Sequence, residues 1–400
     1  MEVKRRLNLE PRFPIITVGG TNGKGSTCAM LERIYHNAGY RVGCYTSPHF
    51  LRYNERVRVA CREADDVALT AAFAAVEAAR QQAPAVPLTY FEFGTLAAMW
   101  HFMQAELDVL VLEVGLGGRL DAVNVFEPNC AIVTSVDLDH MDFLGNSRES
   151  IGYEKAGIYR SGVPAICGDA DAPASLLEHA RKIGAMLLRD GEDFRYEAEG
   201  ETWTYHGVGQ TIDNLPTPAL EGDFQRHNAA CVLAAVESLQ DRLPVSAPQI
   251  AVGLRDVRLA GRFQRRASTP DVILDVAHNP QAAHALADNL RQSPCRGRTL
   301  AVFSMLADKD IGGVVEAVSS EIDCWYIAGI VHARGASVAQ MAELIATHAT
   351  SPCIESCSDV AAAYRQACLA AGENDRIIVF GSFFTVADVM HVLPATHLDD

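Results

Sequence analysis

The sequence predicts an α/β protein built from two domains, and three observations lead to this prediction. Apolar, strand-like runs alternate with helical segments along most of the chain, which is the pattern of sheets covered by helices. A short basic stretch, LAGRFQRRASTP at 259–270, interrupts the alternation, which then resumes. The length of 400 residues is too great for one average domain and suits two. We therefore predict domains at 1–258 and 271–400, joined by a linker at 259–270.

The first domain is predicted to contain a mostly parallel sheet. Near-continuous apolar runs such as DVLVLEV are typical of strands that are buried on both faces. The predicted strands are Pro14–Val18, Arg41–Ser47, Leu107–Val114, Cys130–Val136 and Pro164–Cys167. The predicted helices are Ala68–Gln82, Glu92–Glu106, Asp223–Gln240 and Ser246–Val257, with a small antiparallel hairpin at Phe194–Gly207.

The second domain repeats the alternation of strands and helices and is predicted to be a Rossmann-like α/β unit. Its predicted strands are Val272–Ala277, Thr299–Met305, Cys324–Ala328 and Arg376–Gly381. Its predicted helices cover 280–292, 310–321, 338–348 and 359–371.

Charge and composition exclude several classes of protein. Lys and Arg number 34 against 50 Asp and Glu, so the net charge is −16. A chain this acidic lacks the basic footprint of a general nucleic-acid or membrane-surface binder, so neither partner is expected. No run reaches the ~18 apolar residues of a membrane span. Small molecules are the expected ligands, and any anion among them must be held by loop amides, a few cations or metal ions.

The cysteine pattern predicts a cytoplasmic protein with reduced thiols. The chain has 11 cysteines, an odd number, and they form no CxxC pair. Most of them lie inside apolar runs, which favours buried thiols over a disulfide framework or a zinc site. A monomer is expected because the sequence has no obvious coiled coil or exposed apolar strip.

A glycine-rich loop follows the first predicted strand. The strand FPIITV leads directly into GGTNGKGST at 19–27 and then into a helical stretch. Loop amides and a helix N-terminus at Asn22, Gly23 and Gly25 would face an anion. Lys24 would add a point charge, and the hydroxyl of Ser26 or Thr27 could hold Mg²⁺. The strict phosphate-loop pattern is not met, since Val18 replaces its first glycine and Gly25 replaces its hydroxyl residue. The alternative is a glycine-rich turn with an exposed lysine. The first domain is accordingly predicted to be of the P-loop ATPase type.

Four further residues have an ordinary structural interpretation beside a functional one. Glu113 ends an apolar strand, where it could ligate Mg²⁺ beside nucleotide phosphates or merely cap a loop. His140 follows the next strand and, judged by residue type, is more typical of a structural hydrogen bond than of a Mg²⁺ ligand. Ser47 in the TSP turn reads as a turn residue. Lys155 in EKAG reads as an exposed helical lysine.

A series of motifs extends over nearly the whole chain. It comprises GTNGKGS, YTSPHFLRYNERV at 45–57, TYFEFGTLA at 89–97, LEVGLGGRLDAVN at 112–124, VTSVDLDHMDFLG at 133–145, YEKAGI at 153–158, LAGRFQ at 259–264, ILDVAHNPQAA at 273–283, MLADKDI at 305–311 and VFGSFFTV at 379–386. In this order the motifs resemble the Mur ligase superfamily, and specifically its dihydrofolate synthase/folylpolyglutamate synthase branch.

The resemblance implies an ATP-dependent ligase. Such an enzyme transfers the terminal phosphoryl group of ATP to a carboxylate, and the amine of L-glutamate then attacks the acyl phosphate to form an amide. The implied acceptors are dihydropteroate, giving dihydrofolate, and the γ-carboxylate of reduced folates. Residues implied to carry catalysis are Lys24, Glu113, His140, Lys155, Asp275 and His278.

The resemblance also assigns ligands. It implies two Mg²⁺ ions held through Ser26, Ser47, Glu113, His140 and Lys155, with Lys155 carbamylated to serve the second ion. Asn228 would contact adenine and Arg262 the triphosphate, while Asp275 and His278 would approach ATP from the second domain as the domains close. The residues implied to bind the pterin substrate are Thr89, Tyr90, Phe91, Glu92, Leu120, Asp121 and Ala122.

Alternatives stay open at the level of sequence. One alternative interprets Asn228 as a helix-surface amide, and another interprets Asp275 with His278 as a simple loop network. Other functions are a monofunctional folylpolyglutamate synthase, a ligase acting on a cell-wall nucleotide, a non-catalytic nucleotide-binding regulator and a kinase. Only 13 residues precede the strand at Pro14, fewer than in similar bifunctional enzymes. We therefore expect the dihydropteroate site to depart from the family pattern more than the ATP site does.

Overall fold

A computed structural model describes residues 1–266, 268–293, 295–349 and 353–393. The chain forms two compact units. The first comprises Met1–Ala219 and Gln225–Arg258, and the second comprises Leu220–Phe224 and Leu259–Asp400. The short segment at 220–224 therefore groups with the second unit, although the sequence places it within the first domain.

The first unit is organised around an eight-stranded sheet of order β4-β3-β2-β5-β1-β6-β7-β8. Its strands are β1 (Ile15–Gly19), β2 (Val42–Tyr45), β3 (Val57–Val59), β4 (Arg62–Glu63), β5 (Val109–Glu113), β6 (Cys130–Val133), β7 (Pro164–Cys167) and β8 (Met186–Arg189). Six strands, in the spatial order β2-β5-β1-β6-β7-β8, pair in parallel. The strands β3 and β4 add an antiparallel edge beside β2. Every residue of β1, β2, β5 and β6 is buried, as the apolar runs predict.

Helices cover the sheet of the first unit. They are α1 (Glu2–Arg6), α2 (Lys24–Asn37), α3 (Asp66–Gln81), α4 (Tyr90–Met103), α5 (Met141–Leu144), α6 (Arg148–Ala156), α7 (Ala174–Ile183), α8 (Phe224–Ser238) and α9 (Ala247–Asp256). Helix α4 begins two residues before its predicted start because Thr89 caps it: the Thr89 hydroxyl accepts from the Glu92 amide. Single-turn 3-10 helices lie at Tyr53–Arg56 and Ala122–Val125.

The predicted hairpin at Phe194–Gly207 is a three-stranded antiparallel sheet in the structure. Its strands are β9 (Arg195–Glu199), β10 (Thr202–His206) and β11 (Thr211–Pro216), in the order β11-β10-β9. The strand β11 was not predicted because its sequence, TIDNLP, has few apolar residues and ends in proline. Trp203 and Tyr205 of β10 are fully buried, which anchors this sheet to the first unit.

The second unit contains a six-stranded sheet of order β12-β13-β17-β14-β15-β16, parallel except for β12. Its strands are β12 (Gln264–Arg266), β13 (Asp271–Leu274), β14 (Thr299–Phe303), β15 (Cys324–Ile327), β16 (Cys353–Ser356) and β17 (Arg376–Phe380). Its helices are α10 (Pro280–Gln292), α11 (Ile311–Val318), α12 (Val338–His348), α13 (Val360–Ala370) and α14 (Phe383–Met390), with a 3-10 turn at Ser319–Glu321. The predicted linker at 259–270 therefore contributes β12, which adds an antiparallel edge to the sheet.

The cysteines depart from the sequence-based expectation at one place. Cys324 and Cys353 form a disulfide, because β15 and β16 are neighbours whose register sets these residues opposite each other with Cα atoms 4.5 Å apart. The thiols of Cys28, Cys44, Cys130, Cys167 and Cys231 are buried and free, as expected. None of the helices formed by the described residues has the length and apolar character that crossing a membrane requires.

Candidate active site

The glycine-rich loop joins β1 to α2 at the carboxyl end of the parallel sheet, where ligands of α/β sheets bind. Gly23 sits just before α2 with φ 86°, so the loop turns its amides towards the start of the helix. The hydroxyls of Ser26 and Thr27 are buried without a hydrogen-bond partner among the described residues. Buried hydroxyls without partners are uncommon, and a phosphate oxygen or a metal ion would satisfy them here.

The residues after β6 hold the loop in place. Thr21 donates its amide to the carbonyl of Ser135 at 2.8 Å, and Asn22 donates its amide to the Ser135 hydroxyl at 3.1 Å. The Thr134 hydroxyl donates to the carbonyls of Gly19 and Asn22. Thr134 and Ser135 were not singled out from the sequence, although their place directly after the neighbouring strand could have indicated them.

We expect G20A to destabilise the first unit. A Cβ on Gly20 would lie 1.9 Å from the Thr134 hydroxyl, and its φ of 143° is strained for any side chain. Clash and strain together predict a loss of about 2–4 kcal/mol in the free energy of unfolding, measured by urea denaturation. The matched control is G39A, which also has positive φ but no atom within 4 Å, and which should lose about 1 kcal/mol. A G20A/T134A double variant that recovers no stability would contradict this explanation.

Lys24 and Lys155 bring two amino groups into this site, and the charge of Lys24 acts on Lys155. The Lys24 ammonium donates to the carbonyls of Gly20 at 2.9 Å and Thr21 at 3.1 Å. Lys155 on α6 is only 4% exposed, so the sequence-based view of it as an exposed helical lysine is wrong. Burial lowers the pKa of Lys155 to about 7, with a smaller lowering from the Lys24 charge, while Asp139 opposes both. A large share of this amine is therefore neutral near pH 7.

Ser47 and Glu113 meet at the ends of two neighbouring strands. Glu113 is the last residue of β5, it is buried, and its carboxylate accepts from the Ser47 amide at 2.9 Å. Because β2 and β5 pair in parallel, the turn after β2 arrives beside the last residue of β5. The two predicted metal ligands are thus brought together by the topology of the sheet.

His140 lies on the loop between β6 and α5. Its backbone has the left-handed conformation, with φ 50°, and its amide donates to the Asp139 carboxylate at 2.8 Å. A positive φ is uncommon for a non-glycine residue and often marks a functional position. Asp139, which was not predicted, faces both His140 and Lys155 and so links these two residues electrostatically.

The residues predicted to bind the pterin separate into a group held by hydrogen bonds within the chain and a group exposed to solvent. In the first group, Thr89 and Glu92 form a reciprocal capping box at the start of α4. Asp121, which precedes Ala122, accepts the amides of Leu116 at 2.8 Å and Val123 at 3.0 Å. Burial raises the pKa of Asp121 to about 6, while its backbone hydrogen bonds oppose the rise. In contrast, Tyr90 and Leu120 are 66% and 79% exposed.

Phe91 packs within the fold near these residues. Its ring lies 6.0 Å from the Tyr45 ring, and a Cβ on Gly115 would lie 2.6 Å from it. Glycine at position 115 is therefore required for the loop that carries Leu120 and Asp121 to pass against α4.

Asn228 is buried next to the phosphate loop. Its Nδ2 donates to Gln225 at 3.1 Å, and a Cβ on Gly23 would lie 2.4 Å from its Oδ1. The interpretation of Asn228 as a helix-surface amide is therefore wrong, because α8 turns this residue towards the loop.

Three predicted nucleotide residues lie together in the second unit. Asp275 follows β13, and its two oxygens accept the amides of Phe263 at 2.8 Å and Ala277 at 2.7 Å. Burial raises the pKa of Asp275, and the nearby Arg262 opposes the rise. The Arg262 guanidinium lies 5.3 Å from the Phe383 ring centre. His278 Nδ1 hydrogen-bonds the carbonyl of Val276 at 2.7 Å, which fixes its tautomer with Nδ1 protonated.

The donor set fits a magnesium ion that completes its coordination with phosphate. Among the described residues, no group of three or more His, Cys, Asp or Glu could hold a metal ion. Mg²⁺ usually takes one or two carboxylates plus substrate phosphates and water rather than a closed protein cage. Glu113 lies beside Ser47 and supplies a carboxylate of this kind, and the buried Ser26 hydroxyl of the phosphate loop is a further oxygen without a partner among the described residues.

Comparison with protein families identifies the chain's relatives. Residues 18–236 match the Mur ligase middle domain, and residues 261–383 match the Mur ligase glutamate ligase domain. The chain belongs to the Mur ligase family. It is therefore an ATP-dependent ligase, as the motifs predict.

Individual relatives refine the placement within this family. The chain is 46% identical over 387 residues to the dihydrofolate synthase/folylpolyglutamate synthase of Escherichia coli K12, covering 97% of this chain and 88% of the relative. The corresponding Haemophilus influenzae protein is 40% identical, with 98% and 92% covered.

Solved structures agree in fold over the same length. E. coli FolC in complex with DHPP and ADP superposes with a TM-score of 0.92 at 45% identity, covering 98% of this chain and 91% of that chain. A bifunctional folylpolyglutamate synthase/dihydrofolate synthase with Mn, AMPPNP and L-glutamate bound gives a TM-score of 0.90, with 98% and 92% covered. Both solved structures hold a nucleotide, and both share the fold of this Mur ligase family member.

Proposed function

We propose that this Mur ligase family member joins L-glutamate to dihydropteroate, giving dihydrofolate, and to the γ-carboxylate of reduced folates, giving polyglutamates. The observation that carries the proposal is the phosphate loop with Lys24, which follows β1, together with the paired Ser47 and Glu113 after the neighbouring strands β2 and β5, all at the carboxyl end of the parallel sheet. The relatives support the substrate class, because those at 46% and 40% identity over nearly the whole chain have both activities in their names.

The proposed chemistry follows from the low reactivity of a carboxylate, which ATP must overcome. A carboxylate repels nucleophiles and has no good leaving group, so it must be activated before an amine can form an amide. The terminal phosphoryl group transfers to the carboxylate oxygen and ADP departs; the glutamate amine then attacks the carbonyl carbon and phosphate leaves. Lys24 and the loop amides stabilise the charge that develops on the phosphoryl oxygens. The buried surroundings of the site limit attack on the acyl phosphate by water.

We propose that Mg²⁺ is held by Ser26, Ser47 and Glu113, with His140 and Lys155 serving a second ion. The ion supplies positive charge that offsets the phosphates of ATP. A carbamate on Lys155 would turn this buried amine into an anion: the neutral amine attacks CO₂, a C–N bond forms and one proton is released. The low pKa of Lys155, caused mainly by burial, supports this step because only the neutral amine is a nucleophile.

The remaining assignments belong to the same proposal. Asn22, Gly23, Gly25 and Thr27 bind the phosphates and Asn228 the adenine, while Arg262, Asp275 and His278 of the second unit also serve the nucleotide. The exposed Tyr90 and Leu120, with the neighbouring pterin residues, serve the folate. We propose a cytoplasmic monomer that acts on small molecules.

The test measures ADP release with L-glutamate and either dihydropteroate or a reduced folate. We expect glutamate-dependent turnover with both acceptors. Turnover with the reduced folate alone would leave a monofunctional folylpolyglutamate synthase. ADP release that does not require glutamate would indicate a kinase, and no turnover with either acceptor would reject the ligase proposal in favour of a regulator.

A further inference from the structure

Arg56 is a buried cation without a carboxylate partner in the described part of the chain. It ends the 3-10 helix Tyr53–Arg56 and is 8% exposed. Its Nε donates to His49 Nδ1 at 2.8 Å, and its guanidinium lies 5.4 Å from the Tyr53 ring centre and 5.7 Å from that of Tyr90. Buried arginines are normally paired, so the terminal nitrogens of this one require an explanation.

The surroundings hold the guanidinium at a fixed place. The Tyr53 and Tyr90 rings are nearly perpendicular, at 88°, and the guanidinium contacts the faces of both. The His49 Nδ1 accepts the Arg56 Nε bond and so fixes the orientation of the guanidinium plane. The described residues form no hydrogen bond with either terminal nitrogen of Arg56, and the residue keeps 8% of its surface exposed.

This cation also adjoins the candidate metal ligands. The carbonyl of Arg56 accepts from the Thr46 amide at 3.0 Å, one residue before Ser47, whose amide donates to Glu113. Arg56 therefore lies between the exposed Tyr90 and the end of the sheet where the reacting carboxylate must be activated. An arginine matches the planar geometry of a carboxylate and binds it through two parallel hydrogen bonds.

We propose that Arg56 binds the α-carboxylate of the terminal glutamate of the folate substrate, the carboxylate that does not react. This inference rests on the proposed function and extends it to substrate choice. A folate carries this anion two methylene groups from its reacting γ-carboxylate, whereas dihydropteroate carries only the carboxylate that reacts. Arg56 is thus a specificity-determining residue for polyglutamylation.

The experiment compares R56Q with the parent on both acceptors. We expect KM for a reduced folate monoglutamate to rise roughly 10- to 100-fold, because a charge-assisted bidentate contact is lost. For dihydropteroate, kcat/KM should change by less than about threefold. The matched control is R52Q, since Arg52 lies on the same segment but is exposed and paired with Asp66 at 2.7 Å. It should leave both reactions unchanged.

A second measurement does not depend on whether R56Q folds. With the parent enzyme alone, replacing the α-carboxylate of a reduced folate by a carboxamide should lower kcat/KM roughly 10- to 100-fold. With R56Q that retains its fold, the same replacement should cause no additional loss in kcat/KM. Equal losses with both acceptors in R56Q, no loss with either, or an α-amide that the parent uses as well as the acid would overturn the proposal. Parent turnover with glutamate tests the proposed function separately.

Discussion

Replacing Lys24 with alanine is expected to reduce glutamate-dependent ADP release by at least about 10²–10³-fold, the effect of removing a group aimed at developing charge in a transition state. Lys24 is the first residue of α2, and its ammonium donates to two carbonyls of the phosphate loop. It is therefore positioned at the mouth of the loop, where it can exchange these carbonyls for phosphate oxygens. The measurement is steady-state ADP release with saturating glutamate and reduced folate.

Two control variants test whether the loss of activity in K24A is specific to the position and shape of the Lys24 side chain. K182A removes an exposed lysine from the same unit and should leave turnover unchanged. K24R keeps the charge but changes its shape and reach, so it should restore little activity. Thermal unfolding of K24A should match that of the parent, since the bonds to the carbonyls of Gly20 and Thr21 lie at a partly exposed loop. Full activity of K24A would remove the phosphate-loop assignment.

Replacing Lys155 with methionine is expected to abolish most activity while making the protein more stable near neutral pH. Methionine has a similar volume and keeps the packing of α6, but it cannot form a carbamate. The parent, stripped of CO₂ and bicarbonate, should lose activity and regain it when bicarbonate is added, most readily above pH 7 where the amine is neutral. K155M should not respond to bicarbonate. A parent enzyme indifferent to bicarbonate would contradict the carbamate.

The stability of K155M should also depend on pH in a specific direction. The pKa of Lys155 is lowered from 10.5 to about 7 in the folded protein, mainly by burial. The unfolded chain therefore binds more protons between these values, and this residue makes the free energy of unfolding rise with pH across that window. K155M lacks this contribution, so its gain in stability over the parent stripped of CO₂ and bicarbonate, whose Lys155 is a free amine, should be largest at pH 6 and should shrink towards pH 9. A constant difference would contradict the low pKa.

The sequence was sufficient for the parts of the fold that depend on local patterns. Buried strands such as β1 and β5 are continuous apolar runs, and the ends of those strands located Lys24, Ser47 and Glu113. The parts it missed depend on partners distant in the chain. The burial of Lys155 is created by packing in the folded unit, and nothing in EKAG encodes it. Likewise β12 and β11 are short and polar, and they become strands only because a neighbouring strand offers its edge.

The site shows the same division between local pattern and tertiary packing. The motif GTNGKGS predicts the phosphate loop from local sequence. Thr134 and Ser135, which form hydrogen bonds with this loop, lie more than a hundred residues away in the chain. Asp139 and Arg56 lie within motifs of the series, but neither was singled out as a site residue from the sequence. Their roles arise from what surrounds them, which a single sequence does not specify.

Hydrogen bonds join Ser47 to Glu113 and Thr46 to Arg56, so one short segment connects the two proposed ligand sites. A cation bound at Glu113 would fix the start of this segment, and an acid substrate bound at Arg56 would fix its end. Ordering at one end would lower the entropy that binding at the other must overcome, so we expect the two affinities to be linked reciprocally. Bound nucleotide with its metal should therefore raise the affinity for folate, and bound folate should raise the affinity for the nucleotide by the same factor.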